Sequence, residues 1–312
     1  MKRWSLYIGR RLLHMVLTIG IIASVTFFLM NALPGTPYNN QDRLTAEQLD
    51  MLYRKYGFDQ PLLQRYVSYL KNILHGDFGI SLQFSDQPVS MLLSQRIGPS
   101  MQLGLQAVVF GTAMGVLLGV LAAMHQNRFL DVFCSLFAIT GRSVPKFVVA
   151  VLMQYIFAVA LNWLPIGLWN DGFRSTVLPT LALSISPMAE SCRFIRTEMV
   201  EVLSSDYIEL ARAKGMSEIR IAFSHGLRNA LIPLITVLGP MTVSLMTGSL
   251  VVENIFAIPG IGEQFTKSIL SNDYYTIMAV TILFSALLVT VIFLTDILYQ
   301  IIDPRIRAEG AK

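Results

Sequence analysis

Metal binding or nucleophilic catalysis in this chain would draw first on its four histidines and two cysteines. His14, His75, His125 and His225 stand singly, without the H-E-x-x-H spacing that sets two imidazoles on one helix face. Cys134 and Cys192 form no C-x-x-C pair and sit in or beside apolar runs, where a thiol behaves as a small buried hydrophobe. No G-x-S-x-G elbow and no G-x-x-x-x-G-K-[ST] phosphate loop occurs, so neither a serine hydrolase of that type nor a self-contained ATPase is expected. Carboxylates inside apolar runs would mark an ion path, but they are few. Glu190 precedes Arg193 and Arg196 and reads as part of an interfacial ion pair, and Asp296 closes an apolar run at its inner end. A stand-alone secondary carrier, the alternative from a different class, would need carboxylates at mid-depth that are missing here.

The charges gather instead in one island, Asp206 to Pro233, between two apolar segments. Ser204 or Ser205 is expected to cap a short helix from Asp206 to Lys214, with Asp206 and Glu209 in its first turn and Arg212 and Lys214 near its end, as the helix dipole favours. Gly215 should stop that helix and Ser217 restart one leading to the next apolar run. Tyr207 lies in the same turn as Asp206, and the small residues Ala211, Ala213 and Gly215 leave room for a partner to dock closely. A short surface helix held at both ends by longer helices can pass on a rigid push.

Composition dictates the elements that position this island. Of 312 residues 54% are hydrophobic and 14% charged, far below the roughly 25% charged residues of soluble domains. The net charge of +4 is spread over the ends of apolar runs, with no basic patch interleaved with aromatics, so no nucleic-acid partner is expected. Runs long enough for a bilayer, about 20 residues, or made so by modest extension, cover 12–33, 101–124, 147–165, 177–195, 230–252 and 276–295. The first is expected to remain uncleaved, being too long for a signal-peptide core and lacking a small-x-small site. Pro179 and Pro187 in the fourth run, and Gly239 with Pro240 in the fifth, predict kinks or gates. Gly111, Gly115 and Gly119 share a helix face and suit close packing, within the chain or against a second subunit. Phe129 to Gly141 reads as a moderately apolar inner stretch.

Residues 34–97 form the one sizeable extramembrane piece. A capping box of Thr45 and Gln48 starts a helix through Tyr56, and a second helix opens near Asp59 and stops at Gly76. Leu62, Leu63, Tyr66, Leu70, Ile73 and Leu74 are expected to be its apolar stripe. Of the 24 Lys and Arg, 16 fall inside when both termini are placed inside, and of the 8 outside, 6 belong to this long loop. Loops of that length hardly count in the positive-inside rule, so six spans with N- and C-termini inside are expected.

Taken together, Glu209-Leu210-Ala211, three residues and Gly215 resemble the E-A-A-x3-G loop of binding-protein-dependent ABC importer permeases. The closer resemblance is to the oligopeptide and dipeptide permease branch, B-type subunit. It is carried by Leu33-Pro34-Gly35, Gly76-Asp77-Phe78-Gly79-Ile80-Ser81, Asp206-Tyr207, Ala211 to Gly215, Leu227-Arg228-Asn229-Ala230, Glu253-Asn254-Ile255-Phe256, Pro259-Gly260-Ile261-Gly262 and Asp303-Pro304-Arg305. His225-Gly226-Leu227-Arg228 replaces the general I-x-L-P ending and looks like the B-type variant. The resemblance implies an all-α type I importer fold in a prokaryotic cell membrane: 1–33 as inner N-terminus and first span, 34–97 as an outer segment, 98–303 as the core with coupling loop 204–229, and 304–312 as an inner tail. It implies no catalysis and no cofactor on this chain. ATP and Mg would belong to two ABC ATPase subunits docked at Asp206, Tyr207, Glu209, Ala211, Arg212, Ala213, Lys214 and Gly215. A second, similar permease would complete a heterodimer embedded in lipid. An extracytoplasmic peptide-binding protein would meet the loops at Asn170, Asp171, Pro259 and Gly260. Relatives within the family serve nickel or other small solutes, so peptide is the substrate expected and nickel the alternative.

Overall fold

The computed structural model describes residues 2–32, 45–55, 57–84 and 86–302. The motifs Leu33-Pro34-Gly35 and Asp303-Pro304-Arg305, the end of the first outer helix at Tyr56, and the tail 304–312 lie outside the described residues. Among the described residues the chain is helical without strands, and one isolated bridge joins Ile80 and Pro88. Helices are what a chain this apolar must form in a bilayer, because every backbone N–H and C=O in hydrocarbon needs a partner within its own segment.

The chain divides into two compact units. The first comprises residues 1–98 and 260–289. It holds α1 (Lys2–Ala32), α2 (Ala46–Lys55), α3 (Leu62–Leu74), the start of α4 (Val89–Met124), α12 (Ile261–Leu270) and the first half of α13 (Tyr274–Ile302). The capping box forms as expected: the Thr45 amide donates to Gln48 Oε1 at 3.0 Å and the Gln48 amide to Thr45 Oγ1 at 3.3 Å. Pro61 precedes α3, and Gly76, at φ +75°, turns the chain after it. The expected stripe of α3 is corrected. Tyr66, Leu70 and Ile73 pack inward around Tyr69, which is 7% exposed, together with Phe27, Met30 and Met278. Leu62, Leu63 and Leu74 are exposed, Leu74 at 85%. An amphipathic tyrosine takes the centre of the face, which turns the stripe away from both end leucines.

The second unit comprises residues 99–259 and 290–312. It contains the rest of α4, α5 (Phe129–Ser143), α6 (Lys146–Met153), α7 (Phe173–Leu203), α8 (Asp206–Ala213), α9 (Glu218–Ile221), α10 (Arg228–Met246) and α11 (Leu250–Ile255). α6 runs on as π-type turns over Gln154–Ala160, and α9 does the same over Ala222–Leu227. The glycine face of α4 meets α7 of the same chain. A Cβ on Gly111 would stand 2.5 Å from the Ser184 carbonyl oxygen, one on Gly119 2.8 Å from that of Cys192, and one on Gly115 would collide with the Met188 carbonyl. These glycines let α4 and α7 of the same chain approach closely.

Among the described residues three helices, Ile8–Ala32, Val89–Met124 and Tyr274–Ile297, are long and apolar enough to cross a membrane, or up to five if each of two bent pairs is one span. The moderately apolar stretch Phe129 to Gly141 forms α5, a helix turned 104° from α6 and its continuation. The turn falls at Val144, where the following Pro145 ring disfavours helical backbone. The helix that carries the second apolar run starts at Val89, ahead of the run's first residue Met101. The fourth apolar run lies inside the 31-residue α7, in which Pro179 and Pro187 are buried without ending the helix. The bend expected at Gly239–Pro240 falls elsewhere, as a 54° break between Leu231 and Pro233. A proline ring there clashes with the carbonyl four residues back and removes one hydrogen bond. The fifth run ends at Met246, and α11 restarts after Gly248 at φ +91°.

Candidate functional site

α8 is shaped by its two ends. Ser205 occupies the N-cap in extended conformation, yet neither serine hydroxyl caps α8. Ser204 Oγ donates to the Glu201 carbonyl at 2.8 Å and Ser205 Oγ to the Val202 carbonyl at 2.5 Å, so both close the end of α7. The expected cap is corrected: with so short a link between helices, the hydroxyls answer the orphan carbonyls behind them. Asp206 and Glu209 still sit in the first turn, where the free amides favour negative charge. At the other end the Gly215 amide donates to the Arg212 carbonyl at 2.9 Å and the Met216 amide to the Ala211 carbonyl at 3.2 Å. This is a Schellman stop, and it holds Gly215 at φ +80°, the left-handed region that glycine enters without strain.

The same geometry divides the candidate coupling residues between two faces. Ile208 and Ala211, the latter 8% exposed, pack with Ile221, Met216, Val202 and Leu203. The smallness of Ala211 thus serves packing inside the chain, and Ala211 is removed from the docking face. Asp206, Tyr207, Glu209, Arg212, Ala213, Lys214 and Gly215 stay exposed. Beside them lie Leu210, 56% exposed, Ile219 and Phe223, three apolar side chains that sequence reading did not single out. Helical spacing sets Leu210 apart from Ile208, and Ile219 and Phe223 apart from Ile221, but it does not say which set faces inward.

Two contacts fix α8 to the helices after it. Arg212 Nε donates to Glu218 Oε1 at 2.9 Å, and Asn229 Nδ2 donates to the Tyr207 hydroxyl at 3.1 Å. Tyr207 also meets the His225 ring edge-on at 6.5 Å between centroids. α8 is therefore bonded forward to α9 and α10 and joined directly to α7 behind it.

Ion pairs in the second unit keep the expected Glu190–Arg193 contact, while Arg196 turns to another partner. Arg196 pairs with Asp131 on α5, its Nη2 2.8 Å from Oδ2, and the Asn127 amide donates to the same oxygen at 2.9 Å. Glu190 is held by Arg142 at 3.3 Å and by Arg193 at 3.5 Å. Asp131 was missed because its partner lies 65 residues away, beyond any helical spacing. Glu253, buried in the Glu-Asn-Ile-Phe motif, accepts from Ser100 Oγ at 2.6 Å. In the first unit the buried Asp273 carboxylate accepts from Ser81 Oγ at 2.5 Å and Thr276 Oγ1 at 2.7 Å, which ties the Gly-Asp-Phe-Gly-Ile-Ser motif to the start of α13. Burial pushes the Asp273 carboxyl up despite those bonds.

At the other candidate surface, Asn170, Asp171 and Pro259 are not buried, whereas Gly260 is. The loop before Asn170 is stitched to the end of α11. The Leu168 amide donates to the Phe256 carbonyl at 2.7 Å, and the Gln154 amide group donates to the carbonyls of Ile166 at 2.5 Å and Ile255 at 3.1 Å.

Comparison with known proteins matches residues 115–308 to the model of the binding-protein-dependent transport system inner membrane component, and residues 5–91 to that of the membrane component's N-terminal part. The dipeptide transport system permease protein DppB of Lactococcus lactis subsp. cremoris is 46% identical over 301 residues, covering 96% of this chain and 99% of that protein. DppB of Bacillus subtilis is 43% identical, covering 96% and 97%. The oligopeptide transport system permease protein OppB of Salmonella typhimurium is 40% identical, covering 96% and 99%. Among solved structures, the MetNI methionine ABC transporter in inward facing conformations superimposes with a TM-score of 0.55 at 18% identity, over 68% of this chain and 97% of that one. At that identity the likeness speaks for the fold.

Proposed function

This chain belongs to the family of binding-protein-dependent transport system inner membrane components, and on that premise we propose that it moves short peptides through a pathway shared with a second, similar permease. It is a non-catalytic, multi-pass membrane subunit of an ABC importer, which works with ATPase and substrate-binding partners. Peptide as cargo is supported by relatives named for dipeptide and oligopeptide transport at 40–46% identity. The finer arrangement is our reading. Six spans place both termini inside, residues 34–97 outside and the loop 204–229 inside. The partner permease completes a heterodimer, two ATPases bind ATP and Mg, and an extracytoplasmic peptide-binding protein meets the loops around Asn170 and Pro259.

The observation that carries the coupling role is α8 itself, an exposed helix locked to α7, α9 and α10. Closure of the ATPases on ATP would push its outer face, and α7 and α10 would swing the gate in alternating access. Leu210→Glu in the reconstituted complex tests this: ATP-driven peptide uptake and peptide-stimulated ATPase activity should each fall at least about tenfold, equivalent to ~1.4 kcal/mol of lost contact, with assembly judged by copurification. Uptake and stimulation both unchanged would remove the coupling role from this face.

A further inference from the structure

Within the first compact unit, a cavity of about 250 Å³ is bounded by the end of α1, by α3, by the turn at Asp77–Gly79 and by the start of α13. Its walls are aromatic: Phe27 and Tyr69 stack with centroids 5.2 Å apart, and Phe58 and Tyr275 tilt together at 6.2 Å. Its charged groups have opposite signs. Arg65 places its guanidinium 4.6 Å from the Phe58 ring centroid, and Asp77 is exposed, with Oδ1 accepting from the Gly79 amide at 2.9 Å. The Tyr69 hydroxyl is buried among the lining residues and, among the described residues, has no hydrogen-bond partner. Nearly all buried hydroxyls find partners, so one left open in a cavity wall points to a polar group that enters from outside. The Gly-Asp-Phe-Gly turn is built for this shape. Gly79 adopts φ +85°, and a Cβ there would stand 2.8 Å from the Tyr275 ring.

Volume and chemistry narrow the ligand. About 250 Å³ is roughly the share of eight liquid waters and lies below the ~300–1,000 Å³ of drug-sized sites. Ring faces attract an ammonium group and also hold an apolar side chain. A carboxylate strengthens the ammonium preference, and a guanidinium suits a ligand carboxylate. We propose that this cavity binds a small zwitterion, a free α-ammonium and a free carboxylate carried with an apolar side chain, as in an amino acid or a dipeptide. The ammonium sits at Asp77 and the ring faces, the carboxylate at Arg65, and the Tyr69 hydroxyl takes the remaining hydrogen bond. The inference rests on the transport reading for one point, that residues 34–97 face outward and meet solutes before translocation.

The test uses the whole importer complex without its binding protein, in phosphatidylcholine nanodiscs. Radiolabelled Ala-Phe, phenylalanine, and Ala-Phe blocked by N-acetyl and C-amide groups serve as probes in equilibrium dialysis. One free-ended probe should bind saturably and the blocked one at least about tenfold more weakly, with the tighter of Ala-Phe and phenylalanine naming the source. Asp77→Asn and the near-isosteric Tyr69→Phe should each weaken binding about tenfold while the complex still elutes as one assembly. Equal binding of blocked and free probes, equal binding by wild type and both variants, or loss of the site in phosphatidylethanolamine nanodiscs would overturn it. ATP-driven uptake with the binding protein present is measured in parallel. If uptake stands and zwitterion binding fails, this inference alone is lost; if binding stands and uptake fails, the transport reading is lost instead.

Discussion

At the scale of single residues, Arg193 and Arg196 of α7 should behave differently although they stand three positions apart. Arg196→Ala leaves the buried Asp131 carboxylate without its cation and should destabilise the second unit by about 3 kcal/mol, whereas Arg193, half exposed beside Glu190, should cost less than about 1 kcal/mol. Thermal unfolding of the detergent-solubilised complex reads both. Asp273 gives a pH signature. Its folded pKa is raised, so the protonated form is favoured on folding. The stability this supplies is full below the ordinary aspartate value of about 4 and is lost as pH rises through the higher folded value. The difference in midpoint between wild type and Asp273→Asn, followed from about pH 4 to 9, should therefore change with pH in favour of wild type at the acid end. A flat difference would mean that burial of Asp273 is relieved in the assembled protein. Neither pairing was legible in the sequence, because Arg196 with Asp131 and Asp273 with Ser81 are long-range contacts, while sequence spacing exposes only neighbours one helical turn apart.

At the scale of elements, α8 was legible as a helix with both ends marked, and its stop at Gly215 came from residue type alone. The role of that glycine is sharper in three dimensions: no described neighbour in this chain lies within 4 Å of a Cβ added there, so within the chain its constraint is the positive φ. Gly215→Ala should loosen the end of α8 by about 1 kcal/mol, seen as faster amide exchange at Met216, while Gly215→Asn, which tolerates the left-handed region, should exchange nearly as wild type. On α4 the reason for glycine is the reverse. Gly115→Leu should force α4 from α7 and cost about 3 kcal/mol or more through overpacking, lowering the yield of assembled complex. The apolar runs gave the helices but misplaced some of their ends, since turns such as Val144-Pro145 and the break before Pro233 depend on local backbone sterics within otherwise continuous hydrophobic sequence.

At the scale of the whole molecule, the chain carries no phosphate loop, and its free energy must come through contact with ATPases. Vesicles holding this chain alone should take up no labelled dipeptide, and uptake should appear when the partner permease, ATPases and binding protein are added with ATP. Accumulation in the first case would mark a stand-alone carrier. Composition and apolar run length determined by themselves that this is a helical membrane protein, and the resemblance of its motifs pointed to the importer family. Those properties are local or additive along the chain: hydrophobic length, charge at span ends, and glycine where the backbone must turn. Tertiary structure alone decided which face of each element is spent. It buried Ala211, turned Leu210 outward, pressed the α4 glycines onto α7 and gathered an aromatic cavity from separated segments. Facing is set by contacts between different elements, near in sequence around α8 and far apart around the cavity, and spacing within one helix does not encode them.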